Sequence, residues 1–292
     1  GEGLPDKLVA KDWRSILKPR LNIAWLPSDK VFLRVLQLPV VDFEETRAMV
    51  ELQLEKLSPL PIAQIVWTIE VLPKRGEMLQ SVIVVIVPRS LVEEFLGQLE
   101  THGYLPDRLE VPLLDQLLAT EIREDGVWIY LGNEPQSPCL LAWWYGGVLQ
   151  NVTLLPGVDY AEAERLRNQI SQIAWAGELE GWLTSPPRWH LVADEQTAAQ
   201  WSALINEWAE HQVSIIPPVE GKELAALSAK RATRAPASAS LLPPEYSTKY
   251  HQKYIDRLWM RGIGAVILIY LVGVVIYFSA LQVLNYQLNQ SK

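Results

Sequence analysis

The side chains best suited to chemistry are scattered along this 292-residue chain. His102, His190, His211 and His251 stand far apart, each reading as a surface or structural histidine rather than a ligand. Cys139 is the only cysteine, which excludes an intramolecular disulfide and a cysteine-based zinc site and suits a reducing compartment. The acidic pairs Glu44-Glu45, Glu93-Glu94 and Asp194-Glu195 each fall where a helix should begin, so they read as first-turn acids that complement the helix dipole. The glycine patterns that cradle phosphates, GxxxxGK[ST] and GxGxxG, are missing from the sequence. So is the GxSxG turn that would expose a nucleophilic serine. The expectation is a protein that binds rather than reacts, without metal or cofactor.

The elements that would have to position any site read as follows. Residues 22–38 predict two short strands around a turn at Pro27-Ser28-Asp29. Asp42 is placed to cap a helix, with Glu45 three residues on, that runs to Ser58 before Pro59 and Pro61. IVWTIEVL (65–72) and SVIVVIV (81–87) predict a hairpin across PKRGEM. A helix opening at Ser90 and ending at Gly103, a short strand RLEV (108–111) and a helix over 112–122 complete the first unit, residues 1–125. The second unit, 126–220, reads β-β-β-α-β-α-β, the order of an RNase H-like unit. Two related α/β units in tandem, the first with an α-β-β-α insertion, predict an actin-like fold. Trp143-Trp144-Tyr145 on one strand leaves an exposed partner-binding aromatic as an option unless the sheet is covered on both faces.

Residues 221–261 are rich in Ala, Ser, Pro and basic side chains up to residue 248 and predict a flexible tether. Its one apolar interruption is Leu241-Leu242-Pro243-Pro244. GIGAVILIYLVGVVIYFSAL (262–281) follows without a charge. As a helix it is about 30 Å long, the depth of a bilayer's hydrocarbon core, which predicts one transmembrane helix over 262–283. Lys249, Lys253, Arg257 and Arg261 precede it and only Lys292 follows, so the N-terminal side is expected in the cytoplasm. Leu281, Leu284 and Leu288 repeat at helical spacing, the expected dimer contact, and 284–292 is the expected start of a periplasmic helix. The chain opens on Gly1 with no methionine before Met49 and reads as part of a longer protein. A formal net charge of −8 argues against a nucleic-acid-binding body.

Several stretches together resemble the PilM/GspL family, actin-like cytoplasmic proteins of type IV pilus and type II secretion machines. They are Leu38-Pro39, VELQLEKLSPLP (50–61) and VIVVIVPRSLVEEFLGQLETHGYLPDRLEV (82–111). SLLPPEYSTKYHQKYIDRLW (240–259), ahead of a membrane helix, resembles the start of the partner protein PilN, with Ser240 where that family has Asn. The whole arrangement is similar to GspL or to a PilM–PilN fusion. The resemblance implies a cleft that receives Leu241, Leu242 and Pro243. It also implies a cytoplasmic assembly ATPase and periplasmic pilus or secretion-platform proteins as partners. The family's first phosphate turn falls on Asn22–Leu26, where its Asp becomes Ala24 and its second Gly becomes Leu26; the second falls on Tyr130-Leu131-Gly132, where Gly132 survives and the Asp becomes Tyr130. A degenerate nucleotide site and a non-catalytic, homodimeric scaffold of the inner membrane follow as expectations. The rival reading is a membrane-tethered actin-fold ATPase or nucleotide sensor.

Overall fold

The computed structural model describes residues 21–27, 31–72, 79–132, 138–155, 160, 163–209, 212–236 and 238–290, with the side chains of 112, 113 and 283–290 excepted. Leu21–His102 and Pro106–Pro243 form one body, and the long helix from Pro244 belongs to a second unit.

In the first half of the body, β1 (Ile23–Trp25) pairs in parallel with β5 (Arg108–Glu110). Between them in sequence, β2 (Phe32–Pro39), β3 (Ile65–Val71) and β4 (Leu79–Pro88) form an antiparallel sheet in the order β2-β4-β3. β4 is a run of β-branched residues because both of its faces are covered. Val82, Val84 and Ile86 pack with Val50 and Leu54 from α1 (Phe43–Glu51) and the single-turn α2 (Leu54–Leu57). Ile83, Val85 and Val87 alternate to the opposite face and are equally buried. Asp42 caps α1, accepting from the Glu45 amide at 2.9 Å. The following helix, α3 (Arg89–Thr101), starts one residue ahead of the expected Ser90. β4 runs straight into it, and Pro88 stands at the N-cap without a side-chain cap.

The second half carries β6 (Gly126–Tyr130), β7 (Cys139–Tyr145), β8 (Val148–Leu155), α5 (Ala163–Glu180), β9 (Trp189–Val192), α6 (Glu195–Trp208) and β10 (Ser214–Ile216). Its sheet runs β10-β9-β6-β7-β8. The β6–β7 and β7–β8 pairs are antiparallel, while β6–β9 and β9–β10 are parallel. That order and those directions are the RNase H-like arrangement expected from the sequence. Among the described residues the first half has the β1–β5 pair of such a sheet, and β2 joins β4 and β3 instead of β1, so the insertion has three strands where the sequence suggested two. One face of the five-stranded sheet, with Val127, Ile129, Leu141, Trp143 and Leu191, packs under α5 and α6. Gly146 and Gly147 turn β7 into β8 with φ of 63° and 71°, as a two-residue hairpin requires. The Asp125 carboxylate accepts from both of their amides, at 2.7 and 3.0 Å.

The final stretch of the body departs from the flexible tether that composition predicts. Gly221–Arg234 is a helix, α7, packed against α4 (Pro112–Ala119). Alanine-rich sequence favours helix, and Ser228 and Ala232, four residues apart, are small enough for close approach; both are buried. Tether composition and helix composition overlap here, and the tertiary contacts decide between them.

The second unit's helix, α8, spans Pro244–Gln290, 47 residues or about 70 Å. It begins well ahead of Gly262, with Pro244 at the first helical position, where its missing N–H costs nothing. Pro244–Gln282 is a candidate membrane span: its most apolar window has mean hydropathy 2.5 and none of it is buried. Val266, Ile269, Tyr270 and Phe278 lie exposed around its circumference, the pattern of a helix whose solvent is lipid. Lys249, Lys253, Arg257 and Arg261 recur every fourth residue ahead of the apolar run, a single basic stripe. Leu281 is exposed, and the side chains of Leu284 and Leu288 lie outside the described residues.

Candidate functional site

The residues with the densest long-range chemistry gather where α7 and the segment after it meet β5. In the β1–β5 pairing, the Arg108 amide donates to Asn22 and the Glu110 carbonyl accepts from Leu26. By strand alternation the backbone of Leu109 faces the other way. There its N–H donates to the Ser240 hydroxyl at 3.1 Å, and its carbonyl accepts from the Leu241 amide at 3.0 Å. The same Ser240 oxygen accepts from the Leu242 amide at 3.2 Å, closing a small turn. Ser240 therefore acts through its side-chain oxygen, which is the group an Asn would also offer. Leu241 is 1% exposed and Leu242 8%, and Pro243 is buried as well. A residual cavity of about 30 Å³ between Leu241, Val85, Leu109 and Leu114 marks the pocket that Leu241 occupies.

Charged groups hold both sides of this segment. Glu110 bridges two arginines: one carboxylate oxygen accepts from Arg108 Nε and the other from Arg231, both at 3.0 Å. Arg231, on α7, also binds Glu70 of β3 at 2.7 Å and Asp115 of α4. The Arg108 guanidinium reaches across to the carbonyls of Ala235 and Pro236, at 3.2 and 3.1 Å, and to that of Ala239. These three carbonyls lie between α7 and the Leu-Leu-Pro motif, so Arg108 fixes the connecting chain by its backbone. Ser238 adds a hydrogen bond to Glu44 at 2.6 Å. Burial pushes the Glu70 carboxyl above its ordinary range, Arg231 opposes that shift, and Glu110 and Asp115 reinforce it. Three carboxylates against two guanidiniums leave the cluster one negative charge in excess.

None of Arg108, Glu110, Asp115, Glu70 and Arg231 stands out in the sequence. The usable signal was charge inside the strand RLEV, where Arg108 and Glu110 flank Leu109 yet all three are buried.

The positions matching the family's phosphate turns are filled by packing. Ala24 is 6% exposed and Leu26 fully buried, its amide donating to Glu110 at 2.8 Å. Tyr130 is 2% exposed, its phenol pushed up by burial, and Gly132 follows at the end of β6. Asp194 caps α6, accepting from the amides of Gln196 and Thr197 at 3.0 Å each, and these bonds hold its carboxyl below the ordinary range, led by the Thr197 amide. His102 is exposed at the end of α3, His251 is exposed on α8, His190 is buried in β9, and His211 lies outside the described residues. Trp143 and Trp144 are both buried because the sheet is covered on both faces, so neither offers the surface aromatic considered above. Cys139 is fully buried, its thiol pushed far up by desolvation.

No family model matches the chain, and no curated protein is significantly similar to it. Among solved structures it is similar to a PilM-PilN type IV pilus biogenesis complex, at 17% identity and a TM-score of 0.45, covering 75% of this chain and 77% of that one. It is also similar to the cytoplasmic domain of EpsL, an inner-membrane component of the type II secretion system of Vibrio cholerae. That match has 14% identity and a TM-score of 0.42, covering 80% of this chain and 81% of that one. A Bacteroides thetaiotaomicron protein with an actin-like ATPase fold and unknown function matches at 12% identity and a TM-score of 0.36, over 63% and 65% of the two chains.

Proposed function

We propose that this chain is a non-catalytic scaffold in the inner-membrane platform of a type IV pilus or type II secretion machine. Its body stands in the cytoplasm and engages an assembly ATPase, while the chain beyond the span engages periplasmic components. The observation that carries this reading is the clamp on residues 235–243. The described residues of the stretch before the long helix, 235, 236 and 238–243, are held by Arg108, Leu109 and a pocket for Leu241. A merely tethered enzyme has no use for such a clamp, whereas a scaffold that transmits position or load needs one. Similarity to a PilM-PilN complex and to an EpsL cytoplasmic domain supports the same class of machine. The basic stripe ahead of the apolar run supports a cytoplasmic body. Buried Ala24, Leu26 and Tyr130 in the turn positions support binding over bond chemistry. Leu281 at the end of the span and Leu284 and Leu288 beyond it, at helical spacing, support a homodimer contact there.

Affinity capture of the full chain from its native membranes, after reversible crosslinking, tests the proposal. Co-purification of a cytoplasmic assembly ATPase with periplasmic platform proteins is expected. Recovery of the chain with neither would refute the scaffold.

A further inference from the structure

Leu281, Leu284 and Leu288 step along α8 by three and then four residues. Carried back at the same alternation, the repeat meets Tyr277, Val274, Tyr270, Ile267, Ile263 and Met260, each apolar or aromatic. It ends at the charged Asp256 and Lys253, just ahead of the apolar run. Alternating steps of three and four keep one face of a helix toward one partner, as the seam of a coiled coil does. The helix is continuous over this stretch, and the seam is about 42 Å long, more than the depth of the hydrocarbon core. Met260, Ile263, Ile267, Tyr270 and Tyr277 are all more than half exposed along it.

Tyr270 sets this face apart from a surface made only for lipid. It lies about 12 Å along the axis from Gly262 and about 16 Å from Leu281, near the middle of the bilayer. Its side chain is too short to bring the hydroxyl to either headgroup layer, and at 71% exposure its own helix does not shield it. A hydroxyl held in hydrocarbon without a partner forfeits the hydrogen bonds it makes in water, so polar groups at this depth turn toward another protein surface. Tyr277 differs, because it lies about 6 Å from Leu281 and reaches the far interface, the usual place for a tyrosine. A neighbouring line, Ile269, Gly273, Ile276 and Ala280, has smaller side chains. It carries no polar group and leads on to Val283 and Gln287 rather than to the leucines.

Symmetry selects the partner. A second copy crosses the membrane in the same direction, so a parallel pair sets each seam residue beside its own counterpart at the same depth. Tyr270 then meets Tyr270, and each hydroxyl finds another where lipid offers none. Ile267 and Val274 share the heptad position of Leu281, where β-branched residues favour two parallel strands. We infer that α8 pairs with α8 of a second copy along this seam inside the bilayer, the Tyr270 hydroxyl of one chain donating to that of the other. The inference rests on the homodimer of the scaffold reading and carries it from the leucines into the membrane.

Oxidative crosslinking of single-cysteine variants of the full chain in proteoliposomes tests the seam, with the fully buried Cys139 silent. Ile267→Cys, Val274→Cys and Leu288→Cys should crosslink, and Leu268→Cys and Val272→Cys, on the opposite side, should not. Tyr270→Phe keeps the ring and removes the hydroxyl. Energy transfer between labelled chains on dilution with lipid should show it pairing about three- to tenfold more weakly, the worth of one interhelical hydrogen bond. Tyr277→Phe should stay within about twofold, because that hydroxyl is served by the interface. Crosslinking at Ile269→Cys and Ile276→Cys in place of the seam, or undiminished pairing of Tyr270→Phe, would overturn the inference. If Leu288→Cys crosslinks while Ile267→Cys and Val274→Cys do not, the leucine contact stands and the seam in the membrane falls. Chains that stay monomeric throughout, as they would if another protein's helix covered this face, would overturn the homodimer and the inference with it.

Discussion

Leu241→Ala isolates the clamp on residues 235–243. Leu241 is 1% exposed and fills a pocket whose residual cavity is only about 30 Å³, so truncation loses the transfer energy of the side chain and leaves a void. Burying a leucine is worth about 1.5–3 kcal/mol, and buried leucine-to-alanine changes cost about 2–5 kcal/mol. Partial relaxation of the segment into the void places the cost at about 2–3 kcal/mol. At 1.4 kcal/mol per tenfold, the opening equilibrium of the segment should rise by about 30- to 150-fold. Hydrogen exchange of the full chain in lipid nanodiscs reads this directly, because the amides of Leu109, Leu241 and Leu242 are all bonded within the clamp. Faster exchange should be confined to those amides and their neighbours, with β4 and β6 unchanged. Unchanged protection at Leu241, or a uniform loss across the body, would refute the reasoning that this side chain holds the segment.

Three further outcomes follow from the charge cluster and the helix. Arg231→Met leaves Glu70, Glu110 and Asp115 facing one another and should destabilise the body by about 3 kcal/mol, the low end for a broken buried pair because the side chain is 28% exposed. Denaturant titration checks it, and adding Glu70→Gln should recover part of the loss. Glu70 has a folded pKa raised above its unfolded value, so the folded state binds the extra proton. Stability should therefore fall as pH rises from the ordinary glutamate value through the raised one, and the slope should be absent in Glu70→Gln when melting is followed across that window. Because Cys139 is fully buried and its thiol is suppressed, single cysteines placed at Glu245 and Gln290 should report topology without interference. An impermeant maleimide applied from the periplasm should label only Gln290→Cys; labelling only Glu245→Cys would invert the orientation.

Local sequence carried most of the second half of the fold. The Gly146-Gly147 hairpin, the Asp194 cap and the continuous apolar runs of β6 and β7 are short-range signals that mark the elements, and their succession β-β-β-α-β-α-β is that of an RNase H-like unit. The basic stripe and the uncharged run likewise mark the helix by composition alone. The clamp was legible only as Leu241-Leu242-Pro243. Its partners are charged residues drawn from β3, β5, α4 and α7, and no local pattern brings Glu70 within 2.7 Å of Arg231. The error over 221–234 has the same origin. A stretch rich in Ala and in Lys and Arg is compatible with both tether and helix, and it becomes α7 because Ser228, Arg231 and Ala232 find a surface to pack on.

The central claim is that an actin-like body here serves attachment rather than nucleotide chemistry. Calorimetric titration of the full chain in nanodiscs with Mg·ATP tests it most directly. With Ala24 and Leu26 buried where an acid and a close backbone approach are required, no saturable heat is predicted and no phosphate release should follow. Micromolar affinity for Mg·ATP, accompanied by hydrolysis, would contradict it.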